Sequence, residues 1–387
     1  MQRVSTFAVS SILIASLVSF GATATAPGYV EFIQSARTPA DYVLNKLESH
    51  RVVLFGESHW VANEVELVVA IVPRLPDVGA RTLAVEVFPA AMQERLDEVV
   101  NGKEWDEAGA VAVLRAAEMP HLEYLDIIRA AWLANRENGP GTLTVVAMGP
   151  GPDWRETLPK GEDYETFMAN RIRQALNKRG GSLLAYLGLH HAFSRYVQPE
   201  STTDGRAWRF MVRSGNLLWW EMGEALFVIG THRPFHCWND NVWEYCLPFD
   251  GVIDCASDRV GRGAFGFNTA RSPFAELRFD SRVIYAGGYP DLRLVDFVDG
   301  WVWFGPIDEL RQTRVIPLNE YAPDEESLAA VRRANPFDGR ELTQEGLEQL
   351  WLEQTQARAR PILESRWKGV LGWREACETP VPTATTP

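Results

Sequence analysis

The sequence predicts an α/β protein: a largely parallel central sheet flanked by helices, with helical and Cys/aromatic-rich insertions. Short apolar runs of four to seven residues alternate with helix-spaced stretches, which is the signature of βαβ units. The runs are continuously apolar, as strands covered on both faces require. A hydrophobic content of 46% over 387 residues supplies an ample core.

Residues 1–24 read as a signal peptide, with Arg3 as the basic region, Phe7 to Phe20 as a short apolar run and Ala22-Thr23-Ala24 as a small-residue cleavage site. That run falls short of the roughly 20 residues of a spanning helix. An exported, periplasmic or secreted chain with no stable membrane span after cleavage is therefore expected. Residues 25–377 then form a single domain, with a core over 50–196 and a C-terminal extension.

The first buried run is Val52 to Phe55, stopped by Gly56 and followed by helical spacing over Glu64 to Leu75. Thr82 to Val87 is the second. A helical region from Ala90 to Asn135, broken near Pro120, leads to the third run, Thr142 to Met148. A helix over Tyr164 to Lys178 precedes the fourth, Leu183 to Leu187, and Leu226 to Ile229 is the fifth. From 234 to 288 the pattern dissolves into aromatic, glycine and cysteine residues, read as an insertion or lid. A last run, Leu294 to Val298 with Trp301 to Phe304, is interrupted by Asp299-Gly300, which suits a turn or bulge. Helices are expected over 325–334 and 344–368, and a disordered Thr/Pro tail over 378–387.

The net charge of −13, or −14 once Arg3 is removed, and the lack of a basic stripe with interleaved aromatics argue against nucleic acid as a partner. Cys237, Cys246, Cys255 and Cys377 form an even set in a chain read as exported, which predicts disulfides with three connectivities open. None sits in a Cys-x-x-Cys pair, so a zinc knuckle or redox dithiol is disfavoured.

Open parallel sheets bind ligands outside the carboxyl ends of their strands. Past those ends stand Glu57 and His59, Glu86, His190 and His191, and His232, although the chain has only seven histidines. Carboxylates at the ends of apolar runs need partners. Paired with imidazoles they suit general acid/base hydrolysis, and the same groups could hold a divalent cation. Glu57, His59, Glu86 and His191 are the first candidates, as catalytic groups or as metal ligands. Glu64, His190 and His232 form a second tier. Glu64 either faces the pocket or favours a helix N-terminus. At most one of His190 and His191 faces the pocket if the strand continues. His232 is as well explained as a structural histidine, His50 and His121 read as surface residues, and Trp219, Trp220, Trp301 and Trp303 read as core.

At these residues the sequence resembles the TIKI/ChaN/erythromycin-esterase-like superfamily, whose signature is two Gly-x-x-His motifs with a glutamate between them: here Gly56-Glu57-Ser58-His59, Glu86 and Gly188-Leu189-His190-His191. Glu86-Val87-Phe88-Pro89 with Gln93, Leu96 and Asp97, and Phe167-Met168-Ala169 before the second motif, look like the ChaN branch. Where that family often has an Arg-Asp pair, this chain has Tyr164-Glu165, and the region after Tyr196 extends beyond a minimal domain. The resemblance implies water activation by the first-motif histidine and glutamates in esterase-like members, metal-dependent peptidase chemistry in TIKI-like members and haem binding in ChaN-like ones. Family membership alone does not choose among them.

The leading expectation is an exported hydrolase of an ester or amide in a small molecule or peptide. In it His59 is the base, Glu57 and Glu86 orient it or the water, and His191 assists protonation or stabilises the oxyanion. The alternative is a haem- or iron-binding protein without catalysis, using His and Tyr ligands. A third reading, an interaction module on a dead enzyme core, predicts that the acidic and histidine residues do not converge. Divalent metal and haem both stay open as cofactors.

Overall fold

The computed structural model describes residues 28–316 except 118, 120, 152–153, 202–207, 240–241 and 315, together with 367, 370 and 372–378. The signal peptide, most of the expected helices at 325–334 and 344–368, and 379–387 lie outside the described residues. In chain order the elements are α1 (Tyr29–Ser35), α2 (Pro39–Ser49), β1 (Val52–Glu57), α3 (Ala62–Ile71), β2 (Ala80–Pro89), α4 (Gln93–Asn101), α5 (Glu107–Ala116), α6 (Leu122–Asn138), β3 (Thr144–Gly149) and α7 (Trp154–Thr157). Then follow α8 (Tyr164–Arg179), β4 (Ser182–Gly188), α9 (Leu189–Ala192), β5 (Gln198–Ser201), β6 (Trp208–Met211), α10 (Ser214–Met222), β7 (Leu226–Thr231), β8 (Phe235–Asn239), β9 (Val242–Cys246), α11 (Val252–Val260), β10 (Phe265–Asn268), α12 (Leu294–Phe297) and β11 (Gly300–Trp303). A last short helix runs over Trp373–Glu378.

Seven strands form the central sheet in the order β10-β11-β7-β1-β4-β2-β3, parallel throughout except for the antiparallel edge strand β10. Strand alternation sorts each apolar run onto two faces. Val53, Phe55, Leu83, Val85, Leu184 and Tyr186 pack beneath α2 to α6. Val52, Leu54, Ala84, Leu183, Ala185 and Leu187 pack against α1, α8, α10 and α11. Burial on both sides is why the runs show no polar alternation.

The order of the strands positions the site. The chain leaves β1 across β4 toward β2, whereas from β4 it travels the other way, past β1 to β7. The carboxyl ends of β1 and β4 therefore diverge into opposite halves, which opens a crevice between them. Both Gly-x-x-His segments lie there.

Several expectations are corrected. The long helical region breaks at Gly102–Asp106 as well, because the Asp106 carboxylate accepts from the Gly109 amide and starts a new helix. Leu294–Phe297 is one helical turn, and the strand is Gly300–Trp303 alone. Asp299 divides them by accepting the Val228 amide at 2.9 Å with its carboxylate. The stretch 234–288 is only partly an insertion: the β8–β9 hairpin stands apart from the sheet, but β10 extends it. Glu378 ends a helix. Trp301 and Trp303 are buried, Trp219 is partly so and Trp220 is exposed.

Both disulfides are resolved, Cys237–Cys246 across the hairpin and Cys255–Cys377 between α11 and the last helix. The second closes 122 residues, a loop for which chain entropy alone gives up to about 5 kcal/mol. Among the described residues no helix is long and apolar enough to cross a membrane.

Candidate active site

Gly56 sets the distance between the strand ends. A Cβ on Gly56 would fall 2.6 Å from Leu189 Cδ1 and 3.0 Å from its Cα, so only glycine lets the end of β1 meet the turn that follows β4. A Cβ on Gly188 would touch Glu86 Oε2 and His191 Cδ2 at 3.4 Å and His59 Cε1 at 3.7 Å, so anything beyond it would displace the cluster. Trp60, next to His59, holds a left-handed φ of 75°, strain that non-glycine residues keep only where the surroundings impose it.

Glu57 continues the Val53/Phe55 row toward the α2–α6 layer, where the Tyr124 hydroxyl donates to Oε2 at 2.9 Å. Its Oε1 lies 2.8 Å from His59 Nδ1. The carboxylate side chain is fully buried and the imidazole is 37% exposed. Burial pulls the His59 pKa down, but the charge and hydrogen bond of Glu57, with help from Glu86, outweigh it and raise the ring to about 9. His59 is thus a cation at neutral pH. A ring that Glu57 holds protonated is suited to giving a proton rather than taking one.

Glu86 faces the opposite layer, in the row of Ala84. Its Oε2 accepts the Gly188 amide at 2.6 Å, and its Oε1 accepts the Tyr164 hydroxyl at 3.0 Å and lies 3.3 Å from His191 Nε2. Burial favours the neutral acid, yet His191, His59 and these donors hold the carboxyl below its ordinary range. His191 Nδ1 lies 2.8 Å from Glu165 Oε1. With a carboxylate near each nitrogen, Glu86 foremost, the ring's pKa is raised over the opposing effect of burial. Glu165 in turn accepts Arg213 Nη1 at 2.8 Å, the Ser214 amide at 3.0 Å and Ser214 Oγ at 2.8 Å. Against burial, His191 leads the donors that hold Glu165 at about 2.

Of these groups Glu57, His59 and His191 border a cleft of about 220 Å³, whose walls also include Ser58, His190 and Arg233, while Glu86 and Glu165 are not in its lining. The acidic and histidine residues therefore converge, contrary to the interaction-module reading. Both His190 and His191 line the cleft, because the strand ends at Gly188 and helix α9 carries them. Burial, followed by the charges of Arg233, Arg213, His191 and His236, lowers His190 to about 3, so this ring is neutral. Glu64 is buried behind the cleft, accepting the Ser58 amide at 2.5 Å, and burial lifts it to about 8. His232 is not brought into the cleft; it is buried against Asp254 at 2.8 Å. His121 is fully buried on Thr313 Oγ at 3.0 Å, and His50 is half-buried against the Phe227 ring, so neither is a surface residue.

Tyr124, Tyr164, Glu165, Arg213 and Arg233 were not among the candidates. Tyr164-Glu165 was noted only as a departure from a family pair, and its contacts with Glu86 and His191 explain its place at the start of α8. Arg213 and Arg233 carry no spacing signal in the sequence.

No three His, Cys, Asp or Glu side chains are arranged to hold a metal ion among the described residues, because the candidate ligands are tied to one another in pairs. Haem fits no better. The cavity is smaller than the roughly 300–1,000 Å³ of small-ligand pockets, His191 has both nitrogens engaged, and the Tyr245 hydroxyl is bonded to His236 at 3.0 Å.

Residues 43–136 match the family described as haem-binding uptake, Tiki superfamily, ChaN. The matched segment runs from α2 to α6 and holds Glu57, His59 and Glu86; the second Gly-x-x-His follows outside it. Among solved structures the chain is similar to a succinoglycan biosynthesis protein, at 10% identity and a TM-score of 0.52 over 75% of this chain and 98% of that one. It is also similar to an erythromycin esterase mutant in its open conformation, at 9% identity and a TM-score of 0.40 over 72% and 95% of the two chains. ChaN of Campylobacter jejuni, with cofacially bound haem, matches at 11% identity and a TM-score of 0.35 over 49% and 85%. At such identities the likeness concerns the fold. No curated protein matches the sequence.

Proposed function

We propose that the chain is a hydrolase of an ester or amide bond, acting outside the cytoplasm on a small-molecule or peptide substrate at the carboxyl ends of β1 and β4. The observation that carries this reading is the Glu57–His59 pair, in which the 2.8 Å contact engages Nδ1 and leaves Nε2 of a partly exposed ring for a substrate.

Because His59 is charged at neutral pH, its part is donation. It would hydrogen-bond the carbonyl oxygen or give its proton to the leaving alkoxide or amine. The neutral ring in the same cleft, His190, would take the proton from the attacking water. The water oxygen bonds to the carbonyl carbon, the bond to the leaving group breaks with its electron pair, and the proton from His59 completes the alcohol or amine. Rings of opposite protonation state in one cleft are the pairing that acid/base chemistry needs. Glu57, Glu86, Tyr164, Glu165 and His191 are positioning residues. Two disulfides support an oxidising compartment.

The test is turnover of p-nitrophenyl acetate and a peptide p-nitroanilide by the purified chain. Activity is expected, and it should be lost in both His59→Gln and His190→Gln with the fold intact by circular dichroism. Full activity in both variants would overturn the reading. Titration with haemin is expected to leave the Soret band of free haemin unshifted; a stoichiometric band that disappears in His59→Gln would favour a haem carrier instead.

A further inference from the structure

Arg233 follows β7 by two positions and lines the cleft beside His59 and His190. Only 8% of the residue is exposed. Its Nε is buried with no hydrogen-bond partner, and no carboxylate lies within 4.0 Å of its guanidinium among the described residues. Its neighbours are the buried Tyr285 hydroxyl and the Phe235 ring, whose centroid is 5.8 Å from Cζ. A ring face offsets part of the burial of a cation but does not replace a counter-ion. The contrast with Arg213 is direct, since that guanidinium is engaged by Glu165 and Gln198.

A chain of net charge −13 has many carboxylates to spare for pairing, yet among the described residues none is in contact with this buried cation; Glu64, the buried carboxyl its charge acts on, is lifted by burial to about 8 and so is neutral at pH 7. Proteins avoid such a state unless a ligand completes it. We propose that Arg233 anchors an anionic group of the ligand, a carboxylate or phosphoryl oxyanion, so that the substrate of this cleft is an anion. A guanidinium in the cleft wall can give either group two-point hydrogen bonding. The inference rests on the hydrolase reading only for the word substrate; anion binding at Arg233 stands without it. Binding would also cancel the first of the charges that act on His190, ahead of Arg213, His191 and His236. The ring that accepts a proton would then become more basic as the ligand arrives.

The experiment measures succinate and inorganic phosphate binding to the full chain by calorimetry and thermal shift. In parallel, p-nitrophenyl acetate is compared with the anionic mono-p-nitrophenyl glutarate. At least one anion is expected to bind and raise Tm, and the stronger of the two identifies a carboxylate or a phosphoryl group. In Arg233→Gln that affinity should fall about 10- to 100-fold, together with the preference in kcat/KM for the anionic ester over the neutral one. Arg233→Met, without ligand, should melt at the wild-type temperature or above it, because the charge it removes has no partner. The His190 ring, followed by NMR, should titrate at higher pH in the presence of the anion. Neither anion binding to the wild type, equal binding to Arg233→Gln, or a marked fall in Tm for Arg233→Met would each overturn the proposal. Arg233-dependent anion binding with no ester or amide turnover would sink the hydrolase reading and leave this one standing.

Discussion

Two imidazole–carboxylate pairs stand at the carboxyl ends of neighbouring strands, and their contact distances are the same. At the end of β1, His59 Nδ1 meets Glu57 Oε1 at 2.8 Å; just past β7, His232 Nε2 meets Asp254 Oδ2 at 2.8 Å. Their surroundings differ. His232 receives the Trp301 indole N–H on its second nitrogen at 3.3 Å, Asp254 receives that of Trp303 at 3.4 Å, and neither side chain has any exposure. His59 keeps its second nitrogen for the cleft. Pairing therefore does not distinguish a reactive histidine from a structural one; access and a spare valence do.

Substitutions should separate the pairs most sharply. His59→Gln is expected to lower kcat/KM for an ester by about 10²- to 10⁴-fold with little change in denaturation midpoint. His232→Ala strands the buried Asp254 carboxylate and should cost about 3–5 kcal/mol in urea unfolding, with kcat/KM retained in the folded fraction. A loss of activity in His232→Ala equal to that in His59→Gln would erase the contrast.

The structural pair stands beside the long-range disulfide. Asp254 and Cys255 are adjacent on α11, and Cys255 is bonded to Cys377. Replacing both cysteines by alanine should cost about 2–5 kcal/mol by thermal or chemical melting while ester turnover at low temperature persists.

The pH dependence tests the reactive pair alone. A folded-state pKa of about 9 for His59 against an ordinary 6.5 means that its protonation stabilises the fold fully below pH 6.5, and that this contribution disappears as the pH rises through 9. Stability measured against pH should decline over that window in the wild type and decline less in His59→Gln. Turnover should fall above pH 9 as the donor loses its proton. The smallest expected effect belongs to Tyr164→Phe, which removes one of the two hydrogen-bond donors to Glu86 seen among the described residues and should cost about 1 kcal/mol.

Much of the architecture was legible because burial leaves a one-dimensional trace. The continuous runs at Val52 to Phe55 and Leu183 to Leu187 name strands covered on two faces, and the residues just past them are where a parallel sheet presents its chemistry. Legibility failed where a partner comes from far along the chain. Leu294–Phe297 is as apolar as a strand, but Asp299 turns the backbone before it can pair. His121 stands among polar residues, and its burial comes from Thr313, 192 residues away.

By itself the sequence determined the α/β class, the strand ends and the short list of Glu57, His59, Glu86 and His191, with His190 in its second tier, because apolar periodicity and residue chemistry are local properties. Tertiary structure alone decided the rest. It placed Tyr124 on Glu57 and Glu165 on His191, bringing together groups 67 and 26 residues apart. It buried His232 while opening His59, and among the described residues it left no carboxylate in contact with Arg233. Protonation state and unsatisfied valence depend on which groups lie within a few ångströms through space, and in a sheet whose strand order departs from chain order that neighbourhood cannot be read along the chain.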